Sequence, residues 1–196
     1  MTLITAPGWD AAPVPDPAPD QDDGYTWCEV YIGGTSAFHV WTQTEINRVD
    51  DLPKLPVWVP KPGFDNPRQS ALGCVAALKA RGVPAYATPW RAVLIDLETG
   101  KEPDQPWLAA FQAVTVQYGY GIWPYGSTAW IFGYQDYSGL LVAHYDGSPD
   151  LEAFRVAHPG RHIVGKQYKA GVSVPGGTVD LDVLDAAALP HLGHWG

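Results

Sequence analysis

The residues of this chain best suited to chemistry are Asp96 and Glu98, at the end of the apolar run AVLIDLE (92–98). Side chains of an extended strand alternate between its two faces. Leu94, Asp96 and Glu98 therefore share one face, and Val93, Ile95 and Leu97 the other. Two carboxyls on one face of an apolar strand resist each other's ionisation, and partial burial raises their pKa further. A carboxyl in that setting keeps its proton near neutral pH and can serve as a general acid. Asp-x-Glu alone is a common tripeptide, and most copies are solvated strand-end acids. The spacing of other acids adds specificity. Asp10 directly follows the first apolar run (LITAPGWD), while Asp180 and Asp182 share one face of the last (TVDLD).

Whether these acids meet depends on the elements that carry them. With 21 Gly and 19 Pro, the chain is broken into many short pieces. Strands are predicted at LITAP, WCEVYI (27–32), PVWVP (56–60), AVLIDLE, GIWPY (121–125), LLVAHY (140–145), HIVGKQY (162–168) and TVDLD (178–182). Helix starts are predicted between them. Thr42 and Glu45 form a capping box, and Asn66 precedes a Pro at the first helical position. Asp104, Ser127 and Ser148-Pro149 open three more helices. Strands alternating with helices argue for a parallel sheet covered by helices. AVLI, LLVA and HIV are apolar at consecutive positions, as in strands buried on both faces.

About eight strands predict an α/β fold of the TIM-type (β/α)8 barrel, in a compact or irregular variant, because about 250 residues is more usual for that fold. An open doubly wound sheet is the alternative, but it normally carries a Gly-rich phosphate turn after its first strand. PGWDAAPVPD is not such a turn. In a barrel the first and last strands are neighbours, and residues at C-terminal strand ends converge on one mouth. Asp10, Asp96, Glu98 and Asp180 are then expected to ring a single cleft.

The 196 residues are read as one domain, 1–196, in which residues 11–24 (AAPVPDPAPDQDDG) form a long acidic, Pro-rich surface loop. A net charge of −9 argues against nucleic acid or an anionic membrane surface as partner. No apolar run approaches the roughly 20 residues of a membrane span. The first ten residues show neither a basic n-region nor a long apolar h-region, so no standard secretory signal is expected. Release by lysis, carriage in a phage particle or a non-standard route would then bring the protein to an extracellular target.

Cys28 and Cys74 have no metal-like or redox-like spacing. Buried free thiols are expected, with one disulfide as the alternative. His39, His144, His158 and His162 match no ligand motif, and His191 and His194 lie in a Gly-rich tail. No metal and no other cofactor is expected. Ser127 lacks the GxSxG context of a nucleophile.

GWD after the first strand, AVLIDLE in mid-chain, LLVAHYD, and the closing KQY followed by GGTVDLD resemble the family-25 glycoside hydrolases. These are barrel-fold lysozymes that cleave peptidoglycan glycan strands. The chain is also similar to the related glycoside-hydrolase-like domains of actinobacteria and their phages. The resemblance implies a muramidase-like hydrolase acting on cell-wall glycan or another polysaccharide, with Glu98 as general acid. Asp96 would position substrate or stabilise charge, and Asp10 and Asp180 would complete an acidic floor. A non-catalytic glycan-binding or structural module of a phage tail or cell-surface assembly is the alternative it implies.

Tyr168 matches the aromatic end of the family's Trp-Gln-Tyr, with Lys166 in place of the Trp; Asp182 stands where Asn is common. Lys166 is therefore expected near the mouth, where it would pair with a carboxylate and depress its pKa. Trp9, Trp123 and Tyr125 are the aromatics expected to stack on sugar, with core packing as the competing role for each. Asp146, at the end of LLVAHYD, is a further rim acid.

Overall fold

The computed structural model describes residues 3–35, 39–61, 66–85, 90–98, 105–133 and 138–195. Eight strands close into a barrel in chain order. They are β1 (Thr5–Asp10), β2 (Trp27–Gly34), β3 (Lys54–Val59), β4 (Arg91–Asp96), β5 (Tyr120–Ser127), β6 (Leu140–Ala143), β7 (Ile163–Val174) and β8 (Gly177–Asp185). Among the described residues five α-helices lie between them: α1 (Gln43–Asn47), α2 (Pro67–Ala80), α3 (Gln105–Thr115), α4 (Thr128–Ile131) and α5 (Leu151–Ala157). This is the TIM-type α/β barrel, in an irregular form.

The irregularity lies at the closing seam. β1 to β7 pair in parallel, but β8 runs antiparallel to both β7 and β1. β7 and β8 form a hairpin that turns at Pro175-Gly176, so no crossover helix joins them. The mouth therefore meets the first half of β8, not its C-terminal end. Asp180 nonetheless lies beside Asp10, because the antiparallel register pairs these two residues directly.

Side-chain caps account for three of the five described helix starts. The Thr42–Glu45 capping box is complete. The Asn66 side chain accepts from the backbone of Arg68 and Gln69, which satisfies two of the free N–H groups at the start of α2. Ser127 stands at the N-cap of α4 but makes no capping bond with its side chain. At α5 the cap is Asp150, which accepts from Ala153, while Ser148 accepts from the Asp150 N–H. Asp104 lies outside the described residues.

Two apolar cores follow from strand alternation. One draws residues from every strand and from none of the five helices: Ala6, Trp27, Val57, Leu94, Leu141 and Leu184 are among them. It fills the barrel's interior. The other packs the outer strand faces, such as Val30, Val93 and Ile122, against helix residues such as Leu78, Leu108 and Phe154. Gly8 is needed inside: a Cβ there would fall 2.1 Å from the Trp27 ring, which crosses the barrel at that level and donates to the Ala6 carbonyl.

Residues 11–24 form a packed loop. Val14 is buried, Asp16 pairs with Arg48 at 3.0 Å, and the loop backbone meets the hairpin turn at Gly176. Cys28 and Cys74 are buried free thiols. Among the described residues no helix is long and apolar enough to cross a membrane.

Candidate active site

The acids reach the interior by parity. On β1, Ala6, Gly8 and Asp10 point inward; on β4, Ala92, Leu94 and Asp96; on β8, Asp180, Asp182 and Leu184. Each strand thus changes from apolar at one end of the barrel to acidic at the mouth. Glu29 on β2, two residues beyond Trp27, joins them and is buried. Glu98 stands just past the end of β4 and is exposed at the rim. Asp96 accepts a 2.8 Å hydrogen bond from the Glu98 backbone N–H, which fixes the chain where Glu98 leaves the strand.

These carboxyls act on one another, and no lysine, arginine or histidine figures among the described groups that shift them. Burial pushes Asp10 up to about 8, helped by the charges of Asp180 and Asp96 and opposed by hydrogen bonds from Gln167 and Tyr31. Burial also raises Asp96 to about 6, against the pull of the Glu98 N–H. Glu29 and Asp182 are raised far above the carboxylate range, by burial first and then by neighbouring acids. Glu98 is raised as well. The cavity wall withdraws its carboxyl partly from water, and the charges of Asp96 and Asp180 add to that.

Gln167 links the floor to the rim. Its amide N–H donates to Asp10 Oδ2, and its oxygen accepts from the Tyr125 and Tyr145 hydroxyls. Sequence reasoning passed over Gln167, Glu29 and Tyr145. The signals were an amide in the middle of an apolar strand, an acid between Trp27 and Tyr31, and a Tyr at a strand end. Asp10, Asp180 and Tyr31 line a cleft of about 460 Å³, together with loop residues 11–15 and the hairpin turn. That size lies within the usual range for small-molecule sites.

Several expected site residues lie elsewhere. Trp9 follows the inward Gly8, so it points outward; it is fully buried and stacks on Trp41 at 5.8 Å between ring centroids. It has no face for sugar. Trp9→Ala should cost about 3–5 kcal/mol in a denaturant titration; a glycan platform would instead lose binding with little loss of stability. Trp123 does point inward, but one layer below the acids, opposite Leu94, and it is buried edge-on to Trp90 and His191. It is core. Tyr125 is buried at the acidic level. Tyr168 sits at a bulge in β7 and packs, half-buried, against the outer core.

Lys166 is also displaced from its expected position. It is fully buried outside the barrel wall, over the Phe154 ring, with its Nζ 3.1 Å from both oxygens of Asp146. A bulge where β7 meets β6 (Ile163 opposite Leu140, then Gly165 opposite Leu141) reverses the alternation. Gln167 therefore faces in and Lys166 faces out. Asp146 is removed from the mouth acids as well. Burial is the largest single influence on its pKa and raises it, but the Ser148 N–H, the Lys166 ammonium and His144 together outweigh that and hold it below its usual value. Three histidines are satisfied locally: His39 meets Glu45 at 2.8 Å, His158 Nδ1 the Phe154 carbonyl at 2.9 Å, and His191 Nδ1 the Trp90 carbonyl at 2.9 Å.

No family model and no curated protein matches the chain. Solved structures do. An uncharacterized B. stearothermophilus protein is 16% identical, with a TM-score of 0.71 over 95% of this chain and 99% of that one. A muramidase from Trichobolus zukalii is 17% identical, with a TM-score of 0.66 over 95% and 99%. A family GH25 lysozyme from Aspergillus fumigatus is 14% identical, with a TM-score of 0.59 over 93% and 95%. At these identities the likeness is one of fold, and the fold is that of the GH25 lysozymes.

Proposed function

We propose that this chain hydrolyses the glycan strands of bacterial peptidoglycan in the manner of a muramidase, with Glu98 as general acid. One observation carries the reading. Glu98 is an exposed carboxyl with a raised pKa, at the rim of a barrel mouth floored by other carboxyls. The fold shared with lysozymes supports the same reading.

Glu98 donates its proton to the leaving glycosidic oxygen as its bond to the anomeric carbon breaks, and water then adds to that carbon and returns a proton to Glu98. Asp96 accepts from the Glu98 backbone N–H and so fixes the chain from which the Glu98 carboxyl projects. Positive charge growing at the anomeric carbon is met by Asp180, half-buried nearby and fixed by the Gly171 N–H at 2.7 Å, or by the substrate's own N-acetyl oxygen. Asp10, tied to Gln167, shapes the floor. Tyr31 and the exposed Tyr145 supply apolar ring faces beside the acids.

A non-catalytic glycan-binding module is the second reading. It is favoured by the raised pKa of Asp10, which leaves fewer ready carboxylates opposite Glu98. Zymography on purified peptidoglycan separates the two. A clear band is expected from the wild-type chain, and an intact gel beside a positive pull-down would leave only the binding reading.

A further inference from the structure

Three carboxyls at the base of the mouth hold an arrangement that hydrolysis does not require. Asp10, Glu29 and Asp182 come from the adjacent strands β1, β2 and β8, and each offers one oxygen within 4.8 Å of the other two. All three residues are buried, Asp182 completely. Among the described residues neither oxygen of Asp182 has a hydrogen-bond partner, nor does Oε1 of Glu29. A buried charged oxygen with no donor is strongly unfavourable unless something positive answers it. Among the described residues no basic side chain figures among the groups that shift these acids.

Asp10 is held in place from behind. Gln167 donates to its Oδ2, the Tyr31 hydroxyl lies 3.5 Å from Oδ1, and Gln167 is itself fixed by Tyr145 at 2.6 Å. Hydrogen bonds of this kind orient the carboxylates of metal sites. Donors that are all oxygen select hard cations. Calcium, at about 2.3–2.6 Å from each ligand, bridges oxygens up to roughly 5 Å apart, so the cluster would accept it with little movement. A route in exists, because Asp10 also lines the 460 Å³ cleft.

We propose that Asp10, Glu29 and Asp182 form a binding site for a hard divalent cation, calcium by preference. The ion ties β8, β1 and β2 together across the seam where the barrel changes from parallel to antiparallel pairing. The site stands whether or not the mouth cuts sugar, so a failed lytic assay does not bear on it.

The test is thermal unfolding of the full chain, stripped with EDTA, in calcium chloride against sodium chloride of equal ionic strength. A saturable rise in Tm is expected, about 5 °C or more when calcium exceeds its Kd a hundredfold. Asp182→Asn should abolish that rise. Should this variant not fold, Glu29→Gln serves in its place. Terbium luminescence, sensitised by Trp27 two residues from Glu29 on the inner face, gives a second readout and should be quenched by added calcium. The proposal is overturned if calcium, magnesium and manganese all leave Tm at the salt control, or if the calcium shift persists in the folded variants. In that case the three acids are neutralised by protons.

Discussion

Replacing Glu98 with Gln should lower peptidoglycan hydrolysis by about 10²–10⁴-fold, the usual contribution of general acid–base catalysis. The change in stability should stay within about 0.5 kcal/mol, because Glu98 is exposed. Gln keeps the shape and the polarity and removes the transferable proton. The pH profile offers a second check. Glu98 must be protonated to act, so wild-type activity should fall as pH rises through its raised pKa. The residual activity of the variant should lack that alkaline limb. A variant that retains wild-type rates at every pH would remove Glu98 from the chemistry.

The second large effect is on stability. Asp96 is buried and its pKa is raised to about 6 from an ordinary 3.8. The folded chain thus holds this proton more tightly than the unfolded chain does. The resulting stability is fully present below about pH 4 and is lost as pH rises through about 6. Asp96→Asn has no proton to lose, and its side-chain oxygen can still accept from the Glu98 N–H. Relative to wild type, the variant should therefore gain about 3 kcal/mol between pH 4 and pH 7, a shift of roughly two pH units at about 1.4 kcal/mol each. Urea titrations at the two pH values measure the difference. A gap between variant and wild type that is the same at both would show that burial does not tax this carboxyl. If Asp96 also fixes Glu98, the stabilised variant should hydrolyse glycan more slowly.

Much of the arrangement was legible in the sequence, for physical reasons. Period-two alternation alone puts Asp96 and Glu98 on one face, and it puts Asp180 with Asp182. Closure of the ring makes the first and last strands neighbours, which brings Asp10 beside Asp180. The direction of β8 was harder to read, since TVDLD carries no mark of its sense. The Pro-Gly-Gly at 175–177 is the local hint of a hairpin there.

The positions that misled share a cause. Lys166 would face inward under strict alternation, but an extra residue in β7 reverses the count, and a bulge leaves no trace in composition. Trp9 stands next to Asp10 in sequence and for that reason faces away from it in a strand. Trp123 has the right face at the wrong depth, and depth follows from register, which pairs it with Leu94 instead of Asp96. Glu29 and Gln167 went unremarked because single polar residues in apolar strands resemble edge positions until the barrel closes around them.

With Glu98 as general acid, the acidic mouth cuts a glycosidic bond and leaves a new reducing end. The direct measurement is mass spectrometry of purified peptidoglycan treated with the chain and then reduced with borohydride. New reduced sugar ends are predicted with the wild type, and none above background with Glu98→Gln. Unchanged glycan length with folded wild-type protein, or equal release of ends by the variant, would contradict it.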